Sequence, residues 1–398
     1  MTVNTALLAT LPTNAVLNLP GRSAVTLGRM RSETRGAQSF LWMGSGGDCS
    51  AQISAVSGHV TATISCMDSP WGVDGPTGAS ELTRFDSEAC DTPPGSPPGP
   101  LEQCDGSLPP PPPGSCGSAP ANGVIDVMVL YTAAVRHAIE DPPINGNVQQ
   151  AMHAFVEDTE MAMCRSTTPS EPAIAELRFV HAEEVPRTEG TDLADDLTWL
   201  RTNTGALALR DQWGADIVML VKDSVPAGYP NCGLSNEPGV AGITPPPGSG
   251  FAPLAFGVIL YDCPFSRYNF EHELGHVLGA NHNPENNTNP TPLEPWAFGH
   301  WKPHPPGKGQ DGHRTIMSIA FTDQDGHCVD RIQILNYSNA DIFYPYPDGL
   351  PGDPGGGFCT GVAGERENAR TIADYSYFAV DYRPHSDRIF TNGFELEP

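Results

Sequence analysis

Positive charge is what this sequence has least of. Against 47 Asp and Glu stand 21 Lys and Arg, for a formal net charge of −26 at pH 7. A surface of that sign repels phosphate, so nucleic acid is excluded as a partner and anionic membranes are disfavoured. It also helps keep an exported protein dispersed. Lysine in particular is scarce, which leaves few sites for trypsin-like cleavage. No run is long and apolar enough to span a bilayer, so membrane insertion is not expected. The opening Met1-Thr2-Val3-Asn4-Thr5-Ala6-Leu7-Leu8 has neither a basic start nor a sustained apolar stretch, so a signal peptide is expected to lie outside this numbering. No C-x-x-C pair occurs, which argues against a thiolate zinc ribbon.

Cysteine is nevertheless present, and evenly spread. Cys49, Cys66, Cys90, Cys104 and Cys116 precede residue 120; Cys164, Cys232, Cys263, Cys328 and Cys359 follow it. Scattered cysteines of even number fit disulfides and an oxidising compartment, so a secreted protein is expected. With five in each half, either one bridge joins the halves or each half keeps a free thiol.

The 398 residues allow two or three domains, each with its own core. Within residues 1–91 the stretch 13–68 alternates apolar and polar in short runs such as Ala24-Val25-Thr26-Leu27 and His59-Val60-Thr61-Ala62-Thr63-Ile64, which predicts a small all-β domain. Cys49 and Cys66 flank its last two expected strands and could staple that hairpin. Residues 92–122 hold five consecutive prolines, Pro109 to Pro113, and read as an extended linker. From 123 to 384 the pattern becomes α/β. Buried strands are expected at Val124–Tyr131, Ile217–Val221 and Ala255–Tyr261, with a helix opened by Asn147 and another capped by Thr191. Asn368 to Tyr382 reads as a final helix, stopped by Pro384. Residues 385–398 form a tail.

The most informative string is His272-Glu273-Leu274-Gly275-His276-Val277-Leu278-Gly279-Ala280-Asn281-His282. On a helix, His272 and His276 lie one turn apart on one face and can share a metal. Gly279 favours a left-handed helix end, and the turn it makes can return His282 to that metal. Three imidazoles leave tetrahedral Zn2+ one open position. Glu273 adjoins the first histidine and is placed to take a proton from an attacking water and pass it to a leaving amine.

The string H-E-L-G-H-V-L-G-A-N-H resembles the metzincin pattern H-E-x-x-H-x-x-G-x-x-H. Thr315-Ile316-Met317-Ser318 is similar to the Met-turn of that clan, which makes Met317 the floor of the site. Within the clan, the strand Ile125–Thr132 and the Asn368-Ala369-Arg370 helix look most like bacterial reprolysin-like and peptidyl-Asp metallopeptidase-like enzymes. The resemblance implies a twisted mixed sheet with an active-site helix and a zinc endopeptidase acting on polypeptide. It also implies substrate added as an antiparallel strand to a sheet edge, for which Gly239–Ile243 is the expected segment. The S1′ pocket is expected among Ser318, Ile319, Ala320 and Phe321. Two positions depart from better-known branches: Ile319 stands where a zinc-reaching Tyr occurs, and Asn283 stands where reprolysins carry Asp.

The resemblance further implies a precursor whose N-terminal domain acts as an intramolecular inhibitor. A thiol of Cys49, Cys66 or Cys90 is a candidate zinc cap, but no Pro-Arg-Cys-Gly switch occurs, and ordinary disulfides in a stable accessory domain are the preferred reading of these cysteines. Ca2+ is kept as a second cofactor, but Asp323 and Asp325 lack the Gly and Glu of a calcium loop and read as a solvated turn. His300, His304 and His313 read as structural or surface residues. Asp387–Glu395 resembles tails of secreted Gram-negative proteins. Rival readings are an adhesion module with a vestigial zinc site and a zinc amidase acting on non-protein substrates; the presence of Glu273 favours a working enzyme over the first.

Overall fold

The computed structural model describes residues 10–84 except 11, 35–39, 47–48, 57–58, 67–68 and 77–80, and residues 123–383 except 142–145, 169–173, 191, 224–230, 240–249, 262–267, 287–291, 303–312, 320–331 and 346–356. The linker 92–122, the tail 385–398, Cys90, His304, Ala320, Phe321, Asp323 and Asp325 therefore lie outside the described residues.

The N-terminal part forms one seven-stranded sheet in simple meander order: β1 (Asn14–Leu17), β2 (Val25–Thr34), β3 (Phe40–Gly46), β4 (Cys49–Val56), β5 (His59–Cys66), β6 (Ser69–Pro76) and β7 (Glu81–Arg84). Its strands outrun the short apolar runs read from the sequence, and β6 and β7 had no counterpart in that reading. The β2–β3 register shifts between Arg29 and Arg31, the signature of a bulge in the long β2. Leu27, Trp42, Ile53, Val60, Ile64 and Val73 supply the buried core. Cys49 stands directly opposite Cys66 across the β4–β5 ladder.

From Val124 the chain builds a mixed α/β unit. Its elements are β8 (Val124–Tyr131), α1 (Ala133–Glu140), α2 (Val148–Arg165), β9 (Glu176–Glu184), α3 (Leu193–Thr202), α4 (Thr204–Trp213), β10 (Ile217–Lys222), β11 (Gly233–Ser235), β12 (Phe256–Leu260) and α5 (Asn269–Val277). Short strands follow at β13 (Trp301–Lys302), β14 (His313–Arg314), β15 (Ile332–Gln333), β16 (Phe343–Pro345) and β17 (Gly357–Cys359), before α6 (Asn368–Ala379). The five-stranded sheet runs β11-β12-β10-β8-β9, parallel except for the antiparallel edge strand β11.

Both faces of that sheet are covered, which is why β8 and β10 are apolar runs rather than alternations. Val127, Val129, Met219 and Ile259 pack with α1, α2, α5 and α6 on one face. Met128, Leu130, Val218 and Val258 pack with Leu193, Leu197 and Leu200 of α3 and Ala206 of α4 on the other. The N-terminal sheet meets this unit through β4 and β5 against α2, where Thr61 Oγ1 donates to Asp158 Oδ2 at 2.9 Å.

The cap of α3 is corrected. Asp192, not Thr191, accepts from the Ala194 amide, at 2.8 Å. Asp196 turns inward instead of merely serving the helix dipole: it accepts Lys222 Nζ at 2.6 Å and Arg187 Nε at 2.8 Å. Two helices were missed, α1 and α4. Their signals are short polar caps: Thr132 Oγ1 takes the Val135 amide, and Asn203 Oδ1 takes those of Gly205 and Ala206.

Candidate metal centre

Helix α5 is anchored before it reaches its first histidine. Asn269 Nδ2 donates to the carbonyl of Cys232 at 2.5 Å, tying the helix start to the edge strand β11. Tyr337 OH donates to the Glu271 carbonyl at 2.6 Å from the opposite side. The helix ends at Val277. Gly279 takes φ 90°, and the Ala280 and Gly279 amides reach back to the Gly275 and His276 carbonyls, both at 2.9 Å. This is the six-to-one closure that a left-handed residue makes possible. The chain then reverses, and His282 returns to the face carrying His272 and His276.

His272 Nε2 and His276 Nε2 each lie 3.0 Å from His282 Nε2. Tetrahedral zinc bonds of about 2.0 Å place ligand atoms about 3.3 Å apart, so the three nitrogens fit one such ion. Their other ring nitrogens are used. His272 Nδ1 donates to the Ile316 carbonyl at 2.9 Å and His276 Nδ1 to that of Ala280 at 2.8 Å, leaving the Nε2 lone pairs directed inward. Burial pushes His272 down to about 4, His282 to about 3 and His276 well below the usual histidine range, so the rings are neutral donors at pH 7. Among the described residues this is the one group of three His, Cys, Asp or Glu side chains gathered tightly enough for a metal. No described cluster supports calcium.

Met317 is fully buried beneath α5. A Cβ placed on Gly275 would lie 2.6 Å from its sulfur and 2.9 Å from Tyr337 Cε1, so Gly275 is the residue that lets the floor approach the helix. Asn283 is buried and joins the third-histidine loop to the segment after Met317: its Oδ1 accepts the Ile319 amide at 3.0 Å. Its Nδ2 donates to Glu285 Oε2 at 3.0 Å, and Glu285 pairs with Arg366. The side chain of Ile319 offers no hydroxyl to the site.

Glu273 is 4 % exposed and its Oε2 has no hydrogen-bond partner among the described residues. Burial pushes the carboxyl up to about 8, with Ser235 pulling it down and Glu237 adding to the rise. It rests on β11, which is the sheet edge beside α5. Among the described strands the edge is Gly233–Ser235; of the expected segment 239–243, Gly239 lies in a turn and 240–243 fall outside the described residues. Of the expected capping cysteines, Cys49 is buried in the N-terminal sheet, and no free cysteine occurs among the described residues. His300 is buried away from the three-histidine group. Sequence reasoning passed over Gly275, Tyr337, Gly233 and Ser235; only the two glycines carried a signal, as unexplained glycines in a helix and a strand.

Over 234 residues the chain is 27% identical to the "Peptidyl-Asp metalloendopeptidase" of Stenotrophomonas maltophilia (strain K279a), covering 57% of this chain and 47% of that one. Over 212 residues it is 27% identical to the protein of the same name from Xanthomonas campestris pv. campestris, covering 52% of this chain and 42% of that one. The chain is a distant relative of metalloendopeptidases. It spans about half the length of the curated relatives it matches. No protein-family model matches it. Among solved structures it is similar to metalloproteinase-II from Bacteroides fragilis, at 12% identity and a TM-score of 0.40, covering 69% of this chain and 85% of that one. A likeness at that level adds nothing to the argument.

Proposed function

We propose that the chain is a secreted zinc-dependent endopeptidase of metzincin type, with His272, His276 and His282 as metal ligands and Glu273 as general base. The observation that carries this reading is the convergence of three neutral Nε2 atoms, with Glu273 next in sequence to His272 and its buried Oε2 engaged by no described residue. Bound zinc supplies the chemistry of a strong Lewis acid, activating a water near neutral pH and polarising a carbonyl. The residues do the rest. The Ile316 and Ala280 carbonyls hold two of the imidazoles in register, and Met317 supports the helix from below. Glu273 takes the proton of the attacking water and delivers it to the departing amine. The edge of β11 that no described strand pairs accepts an extended polypeptide as an added strand.

Export is supported by the charge of −26 and by the absence of a free cysteine among the described residues. No helix of the described residues is long and apolar enough to cross a membrane. The inhibitor role expected of residues 1–91 has only the Pro-rich segment after them in its favour, and the described packing of their sheet is on α2. The relatives' name makes bonds at aspartate the first specificity to test. The deciding experiment is mass spectrometry of denatured proteins incubated with zinc-loaded or chelated enzyme. Internal peptide-bond cleavage that disappears on chelation is expected; cleavage confined to non-peptide amides would refute the reading.

A further inference from the structure

We propose that Gly233 is a positioning residue for the Glu273 carboxylate, so that the edge strand β11 sets the direction in which the base points. The inference rests on the assignment of Glu273 as the base. Glu273 Cγ and Oε1 occupy the place where a Cβ on residue 233 would stand, and Cδ would lie 2.6 Å from it. The backbone itself does not call for glycine here, because Gly233 has no left-handed φ. The requirement is for space alone, and that space is filled by the acid.

A side chain at 233 has to be accommodated by strand, helix or carboxylate, and the first two are held. Gly233, Leu234 and Ser235 pair with Ile259, Val258 and Gly257 of β12. On one side of them the Cys232 carbonyl accepts the Leu260 amide at 2.8 Å and Asn269 Nδ2 at 2.5 Å. On the other, the Asn236 amide donates to the Phe256 carbonyl at 3.1 Å. Helix α5 is pinned by Tyr337 and floored by Met317. The Glu273 side chain is the part that gives way, and it has little room to swing because it is almost wholly buried. A second glycine completes the arrangement: a Cβ on Gly257 would lie 2.5 Å from Ser235 Oγ and 2.8 Å from Met219 Cε, so both strands are bared where the base and its serine neighbour settle. The strand at the described edge of the sheet is thus the strand that aims the base.

The test is a cycle of Gly233→Ala, Glu273→Asp and the double variant in the full chain, each assayed for kcat, KM, zinc content and Tm on one peptide. Gly233→Ala is expected to lower kcat at least 10-fold with KM and zinc content near wild type. The double variant is expected to be no slower than Glu273→Asp alone, because the shorter acid has vacated the space that the added methyl group needs. Equal fold losses from Gly233→Ala in both backgrounds overturn the inference. If Gly233→Ala alone fails to fold or hold zinc, recovery of folding by Glu273→Asp supports the contact, and no recovery overturns it. Glu273→Ala serves as the separate control. Wild-type activity in that variant overturns the base assignment and the inference together, whereas additive losses in an enzyme that depends on Glu273 overturn the inference alone.

Discussion

Met317 lies so close to Gly275 that a methyl group on the glycine would stand 2.6 Å from the methionine sulfur. Gly275 is on α5 between the two helical histidines, so that contact sets how closely Met317 approaches the helix that carries them. Gly275→Ala should cost about 1–3 kcal/mol through overpacking, even though alanine is the better helix former. Zinc retention should fall with it. Thermal unfolding and metal analysis of the purified variant check both, and unchanged stability with full zinc content would contradict the close approach.

Asn283 is the acceptor for the Ile319 amide at 3.0 Å. Asn283→Ala leaves that half-buried amide without its side-chain partner, at a cost of about 1 kcal/mol. Because the bond links the loop of His282 to the segment after Met317, the loss should appear in peptide turnover as well as in Tm.

If His272, His276 and His282 hold the proposed zinc, removing it should destabilise the fold, because the three come from a helix and a reversed loop that a shared ion would clamp together. At a free zinc concentration 100 times its dissociation constant, the stabilisation is about 2.7 kcal/mol. Chelation should lower the Tm of wild type. His282→Ala should lower it similarly and leave little further response to chelator, which differential scanning calorimetry would show.

The metal-free protein has a pH signature of defined sign. Burial holds His272 near about 4 and His282 near about 3, against about 6.5 in the unfolded chain. Between those values the unfolded state binds more protons. The histidine contribution is therefore fully present above about 6.5 and is lost as pH falls through about 4 toward about 3. Glu273, raised to about 8, acts oppositely and weakens stability as pH rises from about 4.5 to 8. The difference between variants isolates one group. His282→Asn should flatten the acid side of the metal-free stability curve by about one proton's worth of slope. Equal slopes in both proteins would show that this ring is not held neutral by burial.

Much of the centre was legible because its chemistry is local. His272, His276, Gly279 and His282 span eleven residues, and helical spacing plus one left-handed turn is enough to say how they can meet. The apolar runs of β8, β10 and β12 announced a sheet buried on both faces. What escaped depends on contacts far apart in the chain. Tyr337 meets Glu271 across 66 residues, and Gly233 meets Glu273 across a strand–helix interface that no local pattern encodes. The edge strand β11 is only three residues long and owes its place to ladder bonds with β12, so no apolar run marks it in the sequence. The caps Thr132 and Asn203 were readable in principle; helices of eight and ten residues with weak periodicity were not separated from the loops around them.

The most direct test of the central claim is hydrolysis of casein by the purified full chain, by the same protein with a zinc chelator, and by Glu273→Ala with its zinc content measured. Turnover by wild type alone is predicted, with Glu273→Ala folded, zinc-loaded and about 10²–10⁴-fold slower. Equal activity in all three would contradict a mechanism built on this metal centre and this carboxylate.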